Sequence, residues 1–248
     1  KGVPMTTTTN SARGSGVRRR NQTGATPNLN HLTPQTFVDP IRSVKRASVH
    51  WKRKVFHVLG IGTVAVAYAL TPVEPFTAAA IMSVFGALFI LLDASRFFIP
   101  ALNNKVKRDF GPLMRDYELD GLSGSSWFLV SAVISLALFP KTAAALGILC
   151  LAVGDPFASF VGVKWGRTKL PGNKSLEGSL ALVGICTVAG TILLVGTAGV
   201  APLSALGLAF ATAVAAAFAE ALPIKKVDDN FVVPLLAGGA ATALLALL

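Results

Sequence analysis

Charged residues punctuate the second part of this chain at intervals close to one membrane span. None stands between Lys54 and Glu74, between Glu74 and Asp93, or between Asp120 and Lys141. The stretch from Thr142 to about Val163 holds only Asp155, and the intervals from Glu177 to Glu220 and from Phe231 to Leu248 hold no internal charge. A helix needs about 20 predominantly apolar residues to cross the hydrocarbon core of a bilayer. The Glu177–Glu220 interval is long enough for two, with a break at "GTAGVAP" (Gly196 to Pro202), where Gly and Pro cluster. This spacing predicts an all-α fold, a polytopic membrane bundle with about seven transmembrane helices.

Composition agrees. The 248 residues are 52% hydrophobic and 14% charged, with a mean hydropathy of +0.61, which excludes an ordinary soluble domain. Cys150 and Cys186 both fall in apolar segments and form no disulfide framework or zinc spacing. The formal net charge is +11. With alternating spans, every Lys and Arg except Lys141 falls on the side of the N-terminal segment, which the positive-inside rule places in the cytoplasm. Residues 1–50 are rich in Thr, Asn, Ser, Gly and Arg, with a run at Arg18-Arg19-Arg20. They read as a disordered, basic cytosolic tail, with an organelle presequence as the alternative. Residues 51–248 read as the membrane domain.

The polar material therefore forms four cytoplasmic patches. In "WKRKVFH", Lys52, Arg53 and Lys54 either stop the first span or bind an anion. His57 shares a helical face with Arg53 and Lys54. In the second patch, residues 103–108 supply headgroup contacts for an amphipathic segment, and "RDYELDG" shows no catalytic spacing. The third is "GDPFASFVGVKWGRTKLPGNKSLEGS", Gly154 to Ser179. A carboxylate at Asp155, inside a span, requires a polar cavity, a partner cation or a metal. Asp155, Ser159 and Gly162 recur at helical spacing. Lys164, Arg167, Lys169 and Lys174, interleaved with glycines, suit phosphate, because glycine lets backbone N–H groups approach and the cations neutralise charge. "PGNKS" is not a Walker loop, since Asn173 splits the Gly-Lys-Ser triplet. Headgroup anchoring alone has no use for Asp155, Glu177, Glu220, Asp228 and Asp229, whereas a nucleotide site does, because Mg²⁺ is bound through carboxylates. In the fourth patch, "EALPIKKVDDN", capping of the last helix accounts for one of Asp228, Asp229 and Asn230.

Together "RKVFH", the Gly154–Ser179 stretch and "EALPIKKVDDNFVVPL" resemble the family of CTP-dependent lipid kinases, which includes dolichol, phytol and farnesol kinases and the diacylglycerol kinase of fungi. The match covers the chain from about Trp51 onward, and "FGPLMRDYELDGLSGSSWFL" is most similar to the diacylglycerol kinase branch. The resemblance implies transfer of the γ-phosphate of CTP to a lipid hydroxyl. It implies nucleotide contacts at Arg53, Lys54, Gly162, Lys164, Lys174, Gly178 and Asn230, and Mg²⁺ or another divalent cation at Asp155 and Glu177. On the positions that match the family's motifs, Asp155, Asp228 and Asp229 are expected as catalytic residues, Asp228 or Asp229 being the base, and the residue chemistry adds His57 and Glu220 as expected support. The expected partners are CTP, diacylglycerol or an isoprenoid alcohol, and the bilayer, not nucleic acid. The expected location is the endoplasmic reticulum or nuclear envelope, with a plastid membrane second. A cytidylyltransferase is disfavoured because its Lys-Asp and Pro-Gly-His-Gly-Gly signature is absent. A transporter is disfavoured because the charges gather at one face instead of the midplane.

Overall fold

The computed structural model describes residues 2, 51–170, 174–222 and 227–247. The expected tail, its arginine run, Gly172, Asn173 and the Lys225-Lys226 pair lie outside the described residues. Among the described residues helices are the one regular element and no strand forms, only an isolated bridge between Lys169 and Ser175.

Among the described residues eight helices of eleven residues or more follow one another, seven of them in the apolar intervals. They are α1 (Trp51–Leu70), α2 (Pro75–Ser95), α3 (Pro100–Phe110), α4 (Gly124–Leu138), α5 (Lys141–Trp165), α6 (Leu176–Ala198), α7 (Pro202–Ala221) and α8 (Asp229–Leu245). Proline at the first turn of α2 and α7 starts them without loss of a helical hydrogen bond. Gly199, at φ +61°, ends α6 in the left-handed conformation that glycine adopts without strain. Five helices, α1, α2, α5, α6 and α7, are long and apolar enough to cross a membrane. The other two apolar helices, α4 with 15 residues and α8 with 17, are shorter. At 1.5 Å per residue α4 reaches about 22 Å, less than the roughly 30 Å of a typical hydrocarbon core. The remaining helix, α3, is the amphipathic segment expected after the second span, with Lys107 and Arg108 in its last turn.

α5 is the centre of the bundle. Its most apolar window is 56% buried, against 17% for α2, because α1, α6 and α8 all pack on it. Glycines set how closely. A Cβ on Gly147 would lie 2.8 Å from the Gly238 nitrogen of α8, and one on Gly154 would lie 2.9 Å from Leu182 and 3.0 Å from Cys186 of α6. Such small residues let apolar helices approach where burial itself offers little drive to associate. Cys150 and Cys186 are buried free thiols within this packing.

Lys141, the one cation expected at the opposite end, has a local explanation. Its ammonium donates to the carbonyls of Thr71 and Val73, which follow the C-terminus of α1. It thus satisfies acceptors that a helix end leaves open. Ion pairs join the N-terminal ends of α1 and α8, the segment before α4 and the residue preceding α6 to one another and to the C-terminal portions of α5 and α7, so these ends gather on one side.

Candidate active site

The C-terminal half of α5 and the first turn of α6 wall a cavity of about 310 Å³ at the charged end of the bundle. Arg115, Lys169 and Lys174 contribute cations to its lining, and Asp155 and Glu220 contribute carboxylates. Gly162 and Gly178 line it too, for reasons of packing. A Cβ on Gly162 would lie 2.8 Å from Ser175 Oγ, and one on Gly178 would lie 2.7 Å from the Ala158 carbonyl. Glycine at both positions brings the two helices together at the cavity floor. Ser175 Oγ meanwhile caps α6 by accepting the Gly178 N–H at 3.2 Å.

Asp155 lies just before Pro156, which α5 accommodates within its length. Its side chain is 15% exposed and accepts no hydrogen bond among the described residues. Its near neighbour is His57 Nδ1, at 3.7 Å from Oδ2. His57 is buried, opens a π-helical turn of α1 (His57–Ile61), and its Nδ1 has no hydrogen-bond partner among the described residues. Such wide turns recur at functional sites, because they shift a side chain off the regular helical register.

Around this floor runs a network of charges. Lys174 Nζ donates to Glu220 Oε1 at 2.8 Å and to Asp229 Oδ2 at 3.0 Å. Burial works against the Lys174 charge, but Glu220, Asp229 and Asp155 outweigh it and raise its pKa above the ordinary lysine value. Glu220 is buried, and its Oε2 has no partner among the described residues. Arg115 reaches Asp228 Oδ2 at 3.3 Å and lies 4.0 Å from Asp229 Oδ2. Its burial too is outweighed, by Asp155 and then Asp228, which raise its pKa further. Tyr117 donates to Asp228 Oδ2 at 2.6 Å. Burial, partly offset by Arg115 and reinforced by that hydrogen bond, pushes its pKa up to about 12.

Several expected residues stand away from the cavity wall. Lys164 is exposed and stacks over Trp165, 4.6 Å from the ring centroid, and also over Phe160. Lys54 lies over the other side of α5, 5.8 Å from the Phe160 centroid. Glu177 is not brought beside Asp155; its carboxylate accepts the Thr168 N–H at 3.1 Å and 3.3 Å and so fastens the loop before α6. Arg53 pairs with Glu118 at 3.2 Å. Asn230 is buried and donates to the Gly124 carbonyl at 3.2 Å. Asp228 is the N-cap of α8, with Oδ1 accepting the Asn230 N–H at 2.9 Å.

The segment that showed no catalytic spacing turns out to belong here. Glu118 accepts from Arg53, from the Arg115 N–H at 2.7 Å and from the Gly124 N–H at 3.1 Å. Arg96, 1% exposed, donates to Asp93 Oδ1 at 2.9 Å and to the Glu118 carbonyl at 2.6 Å. Asp93 also accepts from Ser123 N and Ser126 Oγ. The Asp93–Arg96 pair therefore holds the 115–123 segment against α4, and that segment delivers Arg115 and Tyr117 to the site. One sign was available in the sequence: Asp93 and Arg96 close the second span with opposite charges one helical turn apart.

The donor set suits a divalent cation accompanied by phosphate. Among the described residues no three His, Cys, Asp or Glu side chains converge as a metal cage. Mg²⁺ at phosphate sites needs only one or two carboxylates from the protein, the rest coming from phosphate and water. Asp155 and the unpartnered Glu220 Oε2 offer open acceptor oxygens at the cavity floor.

The chain is 35% identical over 151 residues to CTP-dependent diacylglycerol kinase 1 of Schizosaccharomyces pombe, covering 57% of this chain and 69% of that protein. It is 30% identical over 167 residues to the protein of the same name in Saccharomyces cerevisiae, covering 60% of this chain and 58% of that one. It is also 32% identical over 186 residues to the phytol kinase of Synechocystis, covering 74% of each. No family model matches the chain, and no solved structure does.

Proposed function

This chain belongs to the family of CTP-dependent lipid kinases, on its diacylglycerol kinase branch, and we propose that it transfers the γ-phosphate of CTP to the hydroxyl of diacylglycerol, giving phosphatidate and CDP. The carrying observation is the cavity in which Arg115, Lys169 and Lys174 face Asp155 and Glu220. Cations that neutralise a triphosphate, set beside carboxylates with free lone pairs, meet the needs of phosphoryl transfer, which depends on positioning and charge stabilisation.

In this reading residues 51–248 form the kinase domain, with seven spans and the charged end in the cytosol. The protein then sits in the endoplasmic reticulum or nuclear envelope. Lys174 and Arg115 hold the β- and γ-phosphates. Asp155, with Glu220 beside it, holds the divalent cation, which supplies further charge neutralisation when bound. Arg53 and Asn230 act through the 115–124 segment by fixing Glu118 and Gly124. The lipid oxygen bonds to the γ-phosphorus as the bond to the β-phosphate oxygen breaks, CDP leaves, and the hydroxyl proton passes to a carboxylate. Asp229 suits that role better than Asp228. Its side chain is 24% exposed against 1%, and both oxygens of Asp228 already accept hydrogen bonds.

The test uses purified protein in detergent–lipid micelles with Mg²⁺ and γ-labelled CTP. Diacylglycerol, dolichol and phytol are offered in parallel, with ATP as competing donor. Label in phosphatidate from CTP is the expected result, whereas label only in an isoprenoid phosphate moves the acceptor to another branch. Phosphatidate is offered in a further arm, and pyrophosphate release with it, without label in any lipid alcohol, overturns the kinase reading in favour of a cytidylyltransferase.

A further inference from the structure

A second pocket, of about 230 Å³, has His57, the neighbour of Asp155, in its wall. α1, α2, α3 and the 113–125 segment line it. Phe56, Phe89, Leu92, Val106 and Phe110 make most of its wall apolar. Arg53, His57 and Glu118 make one end polar. His57 thus forms part of the pocket's polar end and lies 3.7 Å from the carboxylate that faces the phosphate cavity.

We propose that this pocket seats the glycerol end of the acceptor lipid, with its hydroxyl directed past His57 toward Asp155 and the phosphate cavity. The proposal rests on the lipid kinase reading and deepens it by locating the acceptor. Three observations select this occupant. The pocket joins apolar walls to a polar end, as a lipid alcohol does. Its volume is below the roughly 300–1,000 Å³ of sites that enclose a drug-sized ligand, so it holds the head of a lipid and leaves the acyl chains outside. The surface that continues from its rim is apolar and exposed, with Phe56, Phe89, Leu92 and Phe110 each at least 40% accessible. Chains leaving the pocket pass directly onto membrane-facing α1 and α2. α3, amphipathic and turned with Val106 toward the pocket, covers it from the polar side.

A competing seat exists between α1 and α5, where Trp51, Val55, Leu59, Phe157 and Phe160 line an apolar groove of about 400 Å³. Neither seat shares a wall residue with the phosphate cavity, but the groove's lining carries Lys54 as its single charged residue, whereas the pocket's polar end offers Arg53, His57 and Glu118 together.

Two measurements decide between them. In the labelled-CTP assay, Leu92→Trp and Val106→Trp fill the first pocket, and we expect each to raise the KM for diacylglycerol about tenfold or more with the KM for CTP unchanged. Leu59→Trp fills the groove and leaves both constants as they were. The reverse pattern overturns the assignment. Independently of turnover, a diacylglycerol carrying a diazirine at the start of one acyl chain is photolysed with the full chain in lipid nanodiscs. Adducts on peptides of α2, α3 or the 113–125 segment support the pocket, and adducts confined to Phe157–Phe160 overturn it. If the wild-type protein labels no lipid, the kinase reading fails while the adducts still report whether a diacylglycerol occupies this pocket.

Discussion

Tyr117 and Asp228, 111 residues apart in sequence, share a 2.6 Å hydrogen bond that ties the segment before α4 to the first turn of α8. Because Asp228 caps α8 with its other oxygen, one carboxylate both starts a helix and docks the segment that carries Arg115.

This contact predicts a response to alkaline pH. Burial and the hydrogen bond to Asp228 push the Tyr117 phenol up to about 12, above the 10 of a free phenol. A raised pKa stabilises the fold fully below pH 10, and the contribution is lost as pH rises through 12. Ultraviolet titration of the wild type against Tyr117→Phe isolates this phenol, and its absorbance step is expected near pH 12. The same variant should lower phosphate transfer severalfold by loosening Arg115. Unchanged activity would show that Arg115 needs no such anchor.

Asp155 makes no hydrogen bond among the described residues, so the fold does not depend on its charge for a specific bond. We predict that Asp155→Asn lowers phosphate transfer by about 10²-fold or more while leaving thermal unfolding in detergent nearly unchanged. A variant that unfolds instead would mark Asp155 as a structural charge paired with His57.

Lys174 is held by Glu220 and Asp229, and removing it leaves Glu220 buried without its cation. Breaking such a pair from one side costs roughly 3–5 kcal/mol when fully buried, and less here because Lys174 keeps some solvent access. Lys174→Met should therefore lose both stability and activity. Adding Glu220→Gln should restore much of the melting temperature without restoring activity, since the phosphate ligand is still missing. Recovery of activity in the double variant would remove Lys174 from the nucleotide site.

Arg96 is buried in full and serves the site only through the segment it clamps. Arg96→Leu leaves Asp93 uncompensated and is expected to destabilise the protein by roughly 3–5 kcal/mol, read as a lower unfolding midpoint in detergent. Asp93→Asn with Arg96→Leu should recover part of that loss. Limited proteolysis should then show whether residues 115–123 have been released.

Much of the architecture was legible in the linear chain. The charge-free intervals located every apolar helix, because a carboxylate or ammonium group in hydrocarbon is too costly to scatter at random. The alternating positions of the cations told which helix ends gather together. Asp155 stood out for the same reason, as a charge that an apolar span retains only for a use. α3 was readable too, since its charges recur on one face.

What the chain alone did not disclose was which faces meet. α6 and most of α8 are apolar all round, and in α5 only the row Asp155, Ser159 and Gly162, which does line the cavity, marks a face, so the pattern leaves the rotation of most helices open. Packing decides it, through close approaches at Gly147, Gly154, Gly162 and Gly178. That choice turns Lys174 and Asp155 into the cavity and leaves Lys164 on Trp165. It gives Glu177 to the Thr168 backbone instead of to Asp155. It also brings Arg115, Tyr117 and Glu118 to α1 and α8 across sequence separations that no local spacing encodes. Sequence determined the helices and the end at which charge collects. Tertiary structure decided which of those charges share one cavity, because only the packed interfaces fix how each helix is turned.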